Sequence, residues 1–151
     1  MNPDNALTML LTLKDRASFT DRWMSYANAC ALPFQVVIAD GGHDDTVADV
    51  LSSRRAFPNV DYAYIRYPRD VTYLDYYAKI ADALSRIQTP FVVLADNDDF
   101  FIIDALRQAI RFLLDHRDYA TCGGQCAVFW IEPLGSQDPR GAGNDEGGGG
   151  K

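Results

Sequence analysis

Three carboxylates, Asp96, Asp98 and Asp99, fall within four positions directly after the apolar run Phe91-Val-Val-Leu-Ala95. A run of that length bounded by polar residues reads as a buried strand. In an open α/β sheet the end of such a strand borders a concave crevice lined by loops, where ligands bind. Carboxylates crowded there repel one another, and a divalent cation offsets the repulsion most simply. Mg²⁺ and Mn²⁺ take oxygen ligands and often share them between one or two Asp and substrate phosphates. The expected chemistry is a metal-bridged diphosphate site. The competing reading is a solvated acidic turn that caps the next helix.

A second acidic loop, Asp40-Gly41-Gly42-His43-Asp44-Asp45, follows another β-rich run, Phe34–Ala39. If both strands belong to a parallel sheet, both loops share one edge of it. Gly41 and Gly42 permit positive φ or close approach of a ligand. Asp40 is then expected to be free to accept hydrogen bonds from a ribose or base rather than from its own turn; a plain turn is the alternative. A third loop on that edge is Leu13-Lys14-Asp15-Arg16, after the first apolar run. Lys14 and Arg16 are candidate contacts to phosphate or nucleoside, and Asp15 a candidate helix cap, against the alternative that these charges are simply solvated. His43 lacks metal-ligating company and reads as solvent-facing. His116, near a helix end, suits the helix dipole.

The elements that would position these loops follow from periodicity. Apolar or alternating runs at Leu7–Thr12, Phe34–Ala39, Val60–Tyr64 and Phe91–Ala95 predict four strands. Phe19, Trp23, Tyr26, Ala27 and Cys30 mark one helix face, with Ser18 or Thr20 as cap. Asp44 or Asp45 is expected to cap a second helix carrying Val47, Val50 and Leu51 and closed by Pro58. Leu74, Tyr77, Ala78, Ala81 and Leu84 form the stripe of a third, and Ile103, Leu106, Ile110, Leu113 and Leu114 that of a fourth. Tyr119–Gly123 or Gln125–Ile131 supplies one or two further strands. This rhythm predicts an α/β fold, a mostly parallel sheet with helices on both faces. One domain over residues 1–132 is expected, followed by a Gly-rich tail over 133–151 too polar to bury a core.

Composition narrows the function classes. The chain has 151 residues, 48% hydrophobic and 23% charged, and a net charge of −7. That length sustains one real core, and the acidic balance argues against a binder of nucleic-acid backbones. Cys30, Cys122 and Cys126 complete neither a zinc set nor a disulfide scaffold and are expected to be buried reduced thiols. Trp23 and Trp130 read as core, and the tyrosines from Tyr62 to Tyr77 mostly as half-buried core and rim. The opening Met-Asn-Pro-Asp has no basic n-region, and no apolar run approaches a membrane span, so a cytoplasmic location is expected.

Together the three loops resemble the nucleotide-binding half of family-2 glycosyltransferases of the GT-A fold, a Rossmann-like architecture. Leu11-Thr12-Leu13-Lys14-Asp15-Arg16 stands where that family has a Pro-Thr-x-x-Arg-like stretch, with Leu11 in place of the usual Pro. Ile38-Ala39-Asp40-Gly41-Gly42-His43-Asp44-Asp45-Thr46 stands at its acidic, Gly-containing loop, and Asp96-Asn97-Asp98 at its Asp-x-Asp metal motif. Tyr77–Leu84 stands where a helix covers the nucleotide. Over residues 6 to 131 the resemblance implies nucleotide contacts from Thr12, Lys14, Arg16, Asp40, Lys79 and Asp96, and a Mg²⁺ or Mn²⁺ ion held by Asp96 and Asp98. It implies a nucleotide-diphosphate sugar as donor and transfer of the sugar to an acceptor hydroxyl, the metal stabilising the leaving diphosphate.

The family's second half supplies the acceptor site and general base, and no Asp or Glu in an ordered segment is placed for that role; Glu132 stands at the margin of the tail. The resemblance therefore implies a chain better equipped to bind a donor than to transfer from it, either a truncated fragment or one that needs a partner to complete the site; a missing half could leave an apolar patch open to self-association. Three rivals remain. A sugar nucleotidyltransferase would want a Gly-rich basic loop after the first strand, yet Leu13–Ser18 has no glycine. A phospho-acceptor regulatory module would want a Lys after a later strand, where Cys122-Gly123-Gly124 stands. The third is a binding-only relative of the transferases.

Overall fold

The computed structural model describes residues 2–52 and 56–128. After a single 3-10 turn at Pro3–Asn5 the order is β1 (Leu7–Leu13), α1 (Ala17–Ala29), β2 (Gln35–Asp40), α2 (Thr46–Leu51), β3 (Tyr62–Arg66), α3 (Tyr73–Ser85), β4 (Phe91–Ala95) and α4 (Ile103–Asp115). The strands pair in the order β3-β2-β1-β4, all parallel. The predicted α/β architecture with a parallel sheet is the one observed.

β1 lies at the centre, and all seven of its residues are buried. Alternation then divides the core. Met9, Leu11 and Leu13, with Val36, Ile38, Tyr62 and Ala95 from the other strands, face Trp23, Met24 and Ala27 of α1, Val47 and Leu51 of α2, and Ile110 of α4. Leu10, Val37 and Ala39 point the opposite way onto Ala83, Ile80 and Ile87 of the α3 region. Three helices thus cover one face and α3 the other, because only the β3-to-β4 crossover passes behind the sheet. α3 reaches across β1 and β2 but leaves the same face of β4 open, so Val92 and Leu94 are exposed.

Several local expectations are corrected. α1 is entered through Arg16 with φ of 62°, and neither Ser18 nor Thr20 caps it; the Thr20 hydroxyl bonds back to the Arg16 carbonyl instead. Asp45 precedes α2 without a capping bond, while Asp44 accepts from the Thr46 amide and hydroxyl. α2 ends at Leu51, well before Pro58. α3 opens on an unforeseen capping box between Thr72 and Asp75. Its buried residues are Lys79 and Ala83, whereas Leu74, Tyr77 and Leu84 of the expected core stripe are exposed. All three cysteines are exposed, not buried. Tyr119–Gly123 forms no strand. The rest of the Gln125–Ile131 expectation beyond Val128, Trp130, Glu132 and the expected tail lie outside the described residues. No helix among the described residues is long and apolar enough to cross a membrane.

Two tyrosines, one in the middle of β3 and one just past its end, give a pH signature. Burial, then a 2.7 Å hydrogen bond to Asp82, pushes the Tyr67 phenol up to about 12. Burial and the bond to Asp40 push Tyr64 up as well. A phenol that keeps its proton longer in the folded chain stabilises it below the unfolded value and loses that contribution as pH rises through the folded one. Stability should therefore fall between about pH 10 and 12. In an alkaline titration the Tyr67→Phe variant should show the same phenolate absorbance as the parent up to about pH 11. A difference appearing near pH 10 would show an unperturbed phenol.

Candidate functional site at the carboxyl edge of the sheet

Strand order reverses at β1: the chain leaves it toward β2 and β3, then returns to place β4 on its other side. Loops leaving β1 and β4 both run toward the face that carries α1 and α4, and they meet over the crevice outside the carboxyl ends of the two strands, where an open parallel sheet binds ligands. The loops that line it are Lys14–Arg16 and Asp96–Asp99.

Asn97 explains how the acidic turn is held. Its side chain is buried between two exposed carboxylates, and its amide donates to the Arg16 carbonyl at 3.4 Å and to the Thr20 hydroxyl at 3.2 Å. Trp23 Nε1 donates to the Asp99 carbonyl and the Tyr26 hydroxyl to that of Phe101, both at 3.1 Å. With the middle residue turned inward, Asp96 and Asp98 are left outward. Across the crevice, Thr12 Oγ1 donates to Asp96 Oδ1 at 3.4 Å, and Arg16 Nη1 donates to Asp98 Oδ2 at 2.9 Å. Thr12, Arg16, Asp96 and Asp98 are thus brought together. Trp23, Tyr26 and Asn97, which fix the turn, escaped functional notice because each also reads as core or turn.

The Asp40 loop is built differently from its expectation. Asp40 is fully buried, and its Oδ1 accepts from the Gly42 amide of its own turn at 2.7 Å. Its Oδ2 accepts from the Tyr64 hydroxyl at 2.8 Å and from Arg66 Nη1 at 2.7 Å. Arg66 Nη2 also donates to the Gly42 carbonyl. The parallel register sets Arg66 directly beside Asp40, which is why the pair forms. The expectation that Asp40 stands free of its turn is therefore corrected: its oxygens hold the loop and Arg66. The other amides of the loop are spoken for too, Gly41 donating to the Leu13 carbonyl and His43 to Asp15 Oδ1 at 2.6 Å. A side chain on Gly41 would run into the Asp70 carboxylate, so the backbone must approach there bare.

Lys79 lies behind this edge. It is buried, with its ammonium on the Leu13 carbonyl at 2.8 Å and on Asp70 Oδ2. Asp70 Oδ1 is buried and accepts no hydrogen bond among the described residues. Lys14 is exposed at the mouth of the edge.

The expected cation site is not a cage of protein ligands. Among the described residues no three or more His, Cys, Asp or Glu gather where one ion could join them. Asp96 and Asp98 offer accessible oxygens, and a positive group, the Arg16 guanidinium, already sits on Asp98. Mg²⁺ and Mn²⁺ commonly take one or two carboxylates, water and substrate phosphate.

No protein-family model matches the chain, and no curated protein sequence matches it. Its fold is similar to that of TarS 1-349 from S. aureus, with a TM-score of 0.54 and 17% identity over 74% of this chain. The chain spans about a third of the length of that structure, 33%. The likeness is one of fold.

Proposed function

We propose that this chain is the donor-binding part of a glycosyltransferase of the family-2 type, holding a nucleotide-diphosphate sugar through Mg²⁺ or Mn²⁺. The observation that carries the reading is the crevice between β1 and β4, where Asp96 and Asp98 are turned outward by the buried Asn97 and face Thr12 and Arg16. Asp98, and Asp96 beside it, ligate the cation. Arg16 and Lys14 meet the diphosphate, since guanidinium and ammonium groups are its natural counter-ions. The Asp40–Arg66 assembly forms the nucleoside wall, with Arg66 the more accessible of the two. Lys79 supports this edge from behind. The transferred sugar goes to an acceptor hydroxyl, and the base that activates it is supplied from outside residues 2–128.

Calorimetric titration with UDP and UDP-sugars, in Mn²⁺ and then in EDTA, tests the reading. Binding is expected in Mn²⁺ and lost in EDTA, and Asp98→Ala should abolish the metal-dependent part. Equal affinity in that variant with and without chelator would remove the metal site.

A further inference from the structure

We propose that Arg16 is the resting counter-ion of Asp98 and competes with the divalent cation for it, so that metal and diphosphate bind cooperatively by exchanging this guanidinium. The inference rests on the cation site proposed above and adds a way of operating it.

Arg16 is anchored at its base and loose at its tip. Both Asp15 and Arg16 have φ of 62°, the left-handed region that residues with a Cβ seldom occupy. Interactions on both sides hold them there. Asp15 Oδ1 accepts from the His43 amide, and the Arg16 carbonyl accepts from the Phe19 and Thr20 amides, the Thr20 hydroxyl and the Asn97 side chain. The guanidinium, by contrast, touches Asp98 through one nitrogen, Nη1, at 2.9 Å. The two side chains are 57% and 44% exposed, so the pair is water-screened and weak. The Arg16 guanidinium carbon also lies 5.3 Å from the centre of the Phe19 ring, a weak contact that does not depend on Asp98.

The consequence is electrostatic. A divalent ion bound to Asp98 repels the guanidinium, so metal arriving alone must break the pair. Metal arriving with a diphosphate gives the freed guanidinium a better acceptor, since its planar fork suits phosphate oxygens. Arg16 thus opposes the bare ion and favours the ion with its nucleotide.

Mn²⁺ titrations of the parent, Arg16→Gln, Arg16→Lys and Asp98→Asn, read from the free-ion electron paramagnetic resonance signal, with and without UDP, test this. Arg16→Gln should bind Mn²⁺ alone about two- to five-fold more tightly than the parent, the range an exposed ion pair supports. UDP should then strengthen Mn²⁺ binding less in that variant than in the parent. Arg16→Lys, which keeps the charge but not the planar fork, should bind Mn²⁺ alone as the parent does. Three results overturn the exchange while leaving the metal site standing, provided Asp98→Asn loses the ion: equal or weaker Mn²⁺ binding in Arg16→Gln, unchanged coupling to UDP, or Arg16→Lys behaving as Arg16→Gln. Absence of Mn²⁺ binding in parent and variants even with UDP overturns the site, and the exchange with it.

Discussion

Replacing Lys79 by Met should cost this protein about 3–5 kcal/mol, the usual penalty for stranding one member of a buried ion pair. Lys79 and Asp70 are both almost wholly removed from solvent, and Asp70 Oδ1 has no partner among the described residues to share the load. Without the ammonium, Asp70 would carry an uncompensated charge against the Gly41 backbone, whose amide hydrogen-bonds to Leu13. Lys79 also donates to the Leu13 carbonyl, so the end of β1 loses a bond at the same time. The double variant Asp70→Asn, Lys79→Met should recover most of the loss, because it removes both charges together. Urea unfolding of the three proteins measures this. Equal stabilities for Lys79→Met and the parent would mean that the pair is solvated after all. A role for Lys79 in contacting nucleotide directly would appear instead as lost binding with stability preserved.

Asp40→Ala should be the second large effect, about 3 kcal/mol, toward the low end for a buried pair. Three donors lose their acceptor: the Gly42 amide, the Tyr64 hydroxyl and Arg66. Arg66 keeps 31% side-chain exposure and can turn to water, which is why the cost does not climb further. Donor binding should fall with stability, since the loop and Arg66 are positioned by this carboxylate. Asp40→Asn separates charge from shape. It keeps an acceptor for some of these donors while bringing the Tyr64 phenol down only in part, because burial is the larger cause of its elevation and the Asp40 bond the next. A phenol titration of Asp40→Asn beside Asp40→Asn, Tyr64→Phe isolates that group. An unchanged Tyr64 titration would show that Asp40 contributes nothing to its environment.

The parts of this fold legible in the sequence were those fixed by short-range pattern. Phe91–Ala95 is a strand with the predicted bounds, and β1 and β2 begin and end within a residue of their apolar runs. Two acidic loops on one sheet edge followed from parallelism alone. The third helix was misread because its exposed Leu74, Tyr77 and Leu84 resemble a core stripe, while its buried face carries Lys79. A lysine can turn inward only where a buried acid meets it, and Asp70 reaches that place through the tertiary fold, in a loop nine residues earlier. The same limit applies to Asp40. Its use by Arg66 depends on strand register, which periodicity does not give. The cysteines were misplaced by their composition: an apolar-leaning thiol says little at the exposed end of a helix, where Cys30 closes α1, or past the last element, where Cys122 and Cys126 stand.

The strand order has a consequence for the making of the protein. During synthesis the chain emerges from its amino end, and β1, β2 and β3 can pair as they appear, each beside its predecessor. The crevice is the exception. One wall leaves β1 near the start, and the other cannot exist until β4 and the turn that follows it have been translated, some eighty residues later in sequence, as the Arg16–Asp98 and Thr12–Asp96 contacts record. A nascent chain halted before that turn would already own most of its hydrophobic packing yet none of its proposed ability to grip a cation. Acquisition of the proposed binding centre therefore follows the translation of β4 and its turn, timed by the ribosome rather than by the pairing of the first three strands.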